Sequence, residues 1–186
     1  MIELLCLPSL FRPFPFSIFP CVHFNLGNNV TTLLHRDHAN IIFGMCAIHA
    51  LGRYDYKKGG HLILWDWKII MEFPPGTTIL IPSAAVAHGN TPLADPDNEE
   101  RKSFTQYIPG GLIRRWSYGY RTEEEVKEQD PEEWRRLKKA ADERWQTACG
   151  MFSKVEELHS DILTNLCIVP ENGVEVVDIV ESDGKS

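Results

Sequence analysis

The sequence predicts a mostly-β domain with C-terminal helices, its core a double-stranded β-helix of the jelly-roll, cupin-like kind. Three features lead there. Between residues 18 and 120, short β-branched and aromatic runs recur about eight times, separated by Gly, Pro and Asn turn signals. After Arg121 the apolar spacing changes from alternation to steps of three and four. The length, 186 residues, suits one core with appended helices and a tail.

Taken in order, residues 1–20 form a poorly defined N-terminal segment. Pro8, Pro13 and Pro15 interrupt any helix or central strand, and Glu3 with no basic flank argues against a signal peptide. The core is expected over residues 21–121. Val22-His23-Phe24-Asn25-Leu26 alternates as a strand, and Gly27-Asn28-Asn29 turns the chain into a β-branched strand over 30–34. A strand follows over 43–51, closed by Gly52. Lys57-Lys58-Gly59-Gly60 turns into the apolar run 61–65, and Asp66 turns the chain again into a strand over 68–73. Pro74-Pro75-Gly76 leads to a buried strand over 77–81, which Pro82 ends. Residues 102–107 alternate once more, and 112–120 complete the strands.

A helical extension is expected over residues 122–169. Thr122 caps a short acidic helix, and Asp130 caps a longer one with Pro131 in its first position. Trp134, Leu137, Ala141, Trp145 and Ala148 form an apolar stripe expected to pack on the sheet. Arg135, Arg136, Lys138 and Lys139 read as a solvated helix face, with a DNA-backbone contact as the alternative. Residues 170–186 read as an acidic tail, with an edge strand possible over 174–179.

The formal net charge of −7 provides no global basic field, so any polyanion must be held by a local patch. The five cysteines include no Cys-x-x-Cys pair, which speaks against a zinc knuckle or a disulfide framework and for a reduced, intracellular setting. No membrane association is expected, and the sequence leaves the oligomeric state open.

The chemistry centres on Leu34-His35-Arg36-Asp37-His38-Ala39-Asn40. Side chains two apart on a strand share a face, so His35 and Asp37 can point at one spot. A histidine from far along the chain, His88, would complete a two-histidine, one-carboxylate facial triad, the set that leaves positions open on non-haem iron. Arg101 opens the strand after His88. An iron enzyme that consumes 2-oxoglutarate needs such a cation for the distal carboxylate, which the guanidinium fork grips through two charge-assisted bonds. Ser103, two residues on and facing the same way, adds a donor. Among the other histidines only His38 lies beside this spot.

The strings His35-Arg36-Asp37-His38-Ala39-Asn40, Gly59-Gly60-His61-Leu62-Ile63-Leu64-Trp65-Asp66, Phe73-Pro74-Pro75-Gly76, Ile81-Pro82-Ser83, His88-Gly89-Asn90-Thr91 and Arg101-Lys102-Ser103-Phe104-Thr105-Gln106-Tyr107 resemble the TET/JBP family, in particular its fungal, transposon-associated members. The likeness covers residues 21–121. It implies a 2-oxoglutarate- and Fe(II)-dependent dioxygenase that oxidises the methyl group of 5-methylcytosine or thymine in DNA, using O2 and releasing succinate and CO2. It implies that His35, Asp37 and His88 are the catalytic iron ligands and that Arg101 and Ser103 bind 2-oxoglutarate. It further implies that Asn40 and Tyr107 contact a flipped-out methylated base and that the protein is nuclear. Where members acting on 5-methylcytosine often carry a base-facing histidine, this chain has Pro109. The alternatives are a dioxygenase of the same fold acting on N-methyladenine, a protein or a small molecule, and a catalytically inactive transposon-derived binding protein.

Overall fold

The computed structural model describes residue 14, residues 17–158 and residues 160–161. The chain divides into two compact units, Met1–Cys149 and Gly150–Ser186. In the second, the described residues include a short helical turn in which Asp161 N–H donates to the Glu157 carbonyl.

Among the described residues of the first unit, seven strands form two antiparallel sheets. The larger carries β1 (Cys21–Asn25), β7 (Glu100–Tyr107), β2 (Cys46–Arg53) and β5 (Thr78–Ile81) in that order; the smaller carries β4 (Ile69–Met71), β3 (Leu62–Leu64) and β6 (His88–Asn90). Strands far apart in sequence are neighbours in both sheets, which is the winding of a jelly roll. The core shows how the sheets meet. Cys46, Ile48 and Ala50 alternate inward from β2 and join Ile81 of β5, Leu62 and Leu64 of β3, and the loop residues Phe73 and Val86. Burying the isoleucine, leucine, valine and phenylalanine side chains of this cluster contributes about 1.5–3 kcal/mol each. Ala47, on the opposite face of β2, packs with Phe19, Ile41 and Ile108. The antiparallel, sheet-rich core and its C-terminal helices are as the sequence predicts.

Several local expectations change, among them the strand expected over 43–51 and closed by Gly52, which runs over Cys46–Arg53 with Gly52 inside it. No strand forms over 30–34. At Thr32 the ladder is made partly by a side chain: its N–H donates to Asn90 Oδ1 (2.7 Å), while Asn90 N–H donates to the Thr32 carbonyl (3.0 Å). Asn90 Nδ2 also donates to the Val30 carbonyl (3.3 Å). The segment therefore takes the position of an eighth strand, beside β6, without a regular backbone ladder. The strand expected over 68–73 shortens to β4, because Trp65–Trp67 make a 3₁₀ turn and Lys68 sits in the left-handed region at φ 56°.

The strand expected over 112–120 is instead helix α1 (Gly110–Ser117). Ile113 turns toward the Phe19–Ile41–Ile108 cluster, and Tyr118 at the helix end is buried with Val126 and Leu137. Thr122 caps α2 (Glu123–Gln129) through a capping box with Glu125. Asp130 Oδ1 accepts from Glu133 N–H at the start of α3 (Pro131–Cys149), as the sequence predicts. The apolar stripe of α3 differs from expectation: Trp134 and Leu137 pack on Tyr118 and Val126, not on the sheet. The side chains of Trp145 and Ala148 lie outside the described residues, as do residues 162–186 with the tail and its edge strand. In the basic cluster of α3, Arg136 pairs with Glu133 and Lys138 with Glu123, which removes half of its free charge. Among the described residues, no helix is long and apolar enough to cross a membrane.

Asn90→Ala should destabilise the domain by about 2 kcal/mol, the cost of leaving the Thr32 N–H without its acceptor. Asn90→Asp, which keeps that acceptor, should fall between alanine and the native residue. Urea unfolding measures both, and an alanine variant as stable as the native chain would contradict the role given to this side chain.

Candidate metal centre

The site begins with a backbone pair. His35 N–H donates to the His88 carbonyl (3.0 Å), and His88 N–H returns a bond to the His35 carbonyl (2.9 Å). The rings consequently lie side by side, with centroids 4.4 Å apart. Each Nδ1 sits against a carbonyl two residues upstream, His35 against Leu33 (2.8 Å) and His88 against Val86 (2.9 Å). A carbonyl can only accept, so both rings carry their proton on Nδ1 and present the Nε2 lone pair. Burial, opposed by the Val86 bond, holds the His88 pKa below its ordinary value, which favours the neutral, ligating form.

Asp37 faces both lone pairs. Its Oδ1 lies 3.3 Å from His35 Nε2 and its Oδ2 4.0 Å from His88 Nε2. One ligand atom from each of the three residues falls within 4.8 Å of the others. Donors held about 2.1 Å from a common metal lie roughly 3–4 Å apart, and the two Asp37 distances fall in that range. The donor set, two imidazoles and one carboxylate, is the facial-triad set.

The loops carrying these ligands are clamped from outside. Arg36 grips Asp66 through both carboxylate oxygens (2.9 and 3.0 Å) and donates to the Ala85 carbonyl (3.1 Å). Asp66 in turn accepts from Ala87 N–H (2.7 Å). That bond, with the Arg36 guanidinium, holds the Asp66 carboxyl below its usual pKa.

Arg101 is only 3% exposed. Its Nη1 donates to the Val30 carbonyl (3.0 Å), and its remaining side-chain partner is the Tyr54 phenol. Its Nε is the one buried side-chain polar atom without a partner among the described residues. Burial opposes the charged form of the guanidinium, yet none of these partners is an anion. A buried cation in this state is costly until an anion joins it. Gly60, at φ +70°, makes room: a Cβ there would lie 2.8 Å from the Tyr54 ring and 3.3 Å from Arg101 Cδ.

The metal-facing atoms and Arg101 line one cavity of about 430 Å³. Ser103, Thr105 and Tyr107 alternate along β7 into it, and Asn40, His23 and His38 reach it from other elements. Ser103 Oγ accepts from Asn25 Nδ2 (3.2 Å). Asn40 spends both amide hydrogens inward, on Asp37 Oδ2 and Ser83 Oγ (both 3.2 Å). Pro109 meets the Asn40 backbone in an isolated bridge. The seven residues singled out from sequence, His35, Asp37, Asn40, His88, Arg101, Ser103 and Tyr107, thus surround a single cavity.

Sequence reasoning missed Asn25, Tyr54, Ser83 and Asn90. Asn90 had a signal, standing two residues after His88 on the same face of a short strand. Asn25 had a weaker one, its alternating place on β1. Tyr54 and Ser83 follow strand ends and carry no periodic signal.

No family model matches the chain, and no curated protein matches it. Among solved structures, one described as NgTET1 in complex with 5mC DNA aligns with a TM-score of 0.49 at 16% identity. The alignment covers 60% of this chain and 42% of that one, so the chain spans less than half the length of that protein.

Co(II) should bind the purified chain at one site per molecule, and His88→Ala should weaken it by at least a hundredfold in calorimetric titration. Equal affinity in the two proteins would remove His88 from the centre.

Proposed function

We propose that this chain is an Fe(II)- and 2-oxoglutarate-dependent dioxygenase that oxidises the methyl group of a modified pyrimidine, 5-methylcytosine or thymine, in DNA. The observation that carries the proposal is Arg101, a buried guanidinium with an unpartnered Nε in the same cavity as His35, Asp37 and His88. A dicarboxylate cosubstrate answers both needs of such a cavity, since one end satisfies the cation while the keto-acid end reaches the metal side.

In this proposal His35, Asp37 and His88 hold Fe(II). Bound there with 2-oxoglutarate, the iron supplies O2 activation and C–H oxidation, with succinate and CO2 released for each hydroxylation. The protein's part is positioning. Arg101 and Ser103 take the distal carboxylate, Asn25 orients the Ser103 hydroxyl, and Tyr54 steadies the guanidinium. Ile48 and Leu62 provide apolar wall, which strengthens the charge pairing inside.

The base would enter extruded from the duplex, because its methyl group cannot otherwise reach the centre. Tyr107 offers a face for stacking. With both amide hydrogens of Asn40 engaged, its Oδ1 is the atom left for the base, an acceptor suited to the exocyclic amine of cytosine. The family resemblance of the sequence strings supports the DNA substrate, and a nuclear location follows from it. One feature favours a second substrate class, an N-methylated base, a protein side chain or a small molecule: Pro109 brings no side-chain hydrogen bond to the cavity.

Duplex DNA containing 5-methylcytosine, incubated with the chain, Fe(II), 2-oxoglutarate and O2, should yield 5-hydroxymethylcytosine by nucleoside mass spectrometry. Asp37→Ala should reduce the yield at least a hundredfold. Succinate release without any oxidised nucleoside would transfer the enzyme to the second substrate class.

A further inference from the structure

We infer that Ser83 is a positioning residue for the metal centre, fixing Asp37 from two sides, directly through its carbonyl and indirectly through Asn40. The inference rests on the metal-binding role proposed for His35, Asp37 and His88, and extends it to a residue outside that set.

The geometry forms a closed bracket. Asp37 N–H donates to the Ser83 carbonyl (3.0 Å), which sets where the Asp37 backbone stands relative to the loop after β5. Asn40 N–H donates to the Asp37 carbonyl (2.8 Å), folding the chain so that the Asn40 side chain returns to the Asp37 carboxylate. There Asn40 Nδ2 meets Asp37 Oδ2 and Ser83 Oγ, each at 3.2 Å. An ionised carboxylate accepts only, so the group facing it must be the amide nitrogen. The second hydrogen on that nitrogen then belongs to Ser83. The carboxylate thereby decides which way the Asn40 amide points, and the Ser83 oxygen, by accepting the second hydrogen, holds that amide on Asp37 Oδ2. Oδ1, the oxygen nearer His35 Nε2, is the one left free.

Ser83 is itself held. It is 1% exposed, and its N–H donates to the Ile81 carbonyl (2.9 Å). An unsupported aspartate rotates about its Cβ–Cγ bond and loses that freedom when it ligates a metal. Holding one oxygen beforehand lowers the entropy lost on binding, which is how hydrogen-bonded groups behind a ligand raise metal affinity. A serine with a purely structural role would affect the stability of the metal-free fold and leave the metal affinity of folded molecules unchanged.

The experiment is a Co(II) titration of the full chain by calorimetry, with thermal unfolding of each metal-free protein in parallel. Ser83→Ala removes one oxygen, and Asn40→Ala removes the amide while leaving Ser83. Each should weaken Co(II) binding by about 10–100-fold. Because the two act as one unit, the double variant should bind no more than about twofold more weakly than the weaker single one. Affinity within twofold of native in either single variant overturns the inference, as does a double variant whose losses multiply. If Ser83→Ala does not fold, Asn40→Ala alone decides in the same way. Absence of Co(II) binding by the native chain would instead overturn the metal centre, and the positioning role with it.

Discussion

The pair of backbone hydrogen bonds between His35 and His88 is the constraint from which the rest of the site follows. It closes the smaller sheet on the segment that precedes Asp37, and it brings two imidazoles from distant parts of the chain side by side. Everything near it holds these two backbones in register. Asn90 ties the preceding residues to β6 with its side chain. Gly89 allows the close approach, since a Cβ there would sit 2.8 Å from the Thr32 carbonyl oxygen. The Arg36–Asp66–Ala87 clamp secures the outer side. Loss of register by one residue would turn His88 to the opposite face of its strand and dismantle the donor set.

The second organising fact is electrostatic. Arg101 is carried into the cavity by the inward alternation of β7, where its partners among the described residues are a carbonyl and a phenol. Proteins seldom bury a guanidinium without an anion. An anion at that point would offset the cost of the buried charge, which is the electrostatic basis of the proposed cosubstrate site. Its neighbours support that interpretation: Gly60 yields space to Tyr54 and the arginine, and Asn25 orients the Ser103 hydroxyl on the adjacent turn of the pleat.

Much of this was legible in the sequence for identifiable reasons. His35 and Asp37 share a face because they are two apart, and Arg101, Ser103 and Tyr107 share one because β7 alternates without interruption. The caps at Thr122 and Asp130 rest on local chemistry that short strings carry fully. What stayed hidden depends on contacts between distant segments. Residues 112–120 contain apolar and aromatic side chains compatible with either period, and the choice of helix is made by the places waiting for Ile113 and Tyr118 in two separate clusters. The 30–34 segment looks like a strand and occupies a strand's position, but a side chain at Asn90 replaces part of its ladder. Ser83 carried no periodic signal, and its bond to Asn40 becomes visible only when the loops are folded together.

The central claim is that one cavity holds both a metal at His35, Asp37 and His88 and a keto-acid anion at Arg101. Anaerobic titration with Fe(II) followed by 2-oxoglutarate tests it most directly. A visible metal-to-ligand charge-transfer band should appear with one equivalent of each. In Arg101→Ala the band should require at least tenfold more 2-oxoglutarate. Failure of the native chain to develop any band with both components present would contradict the claim.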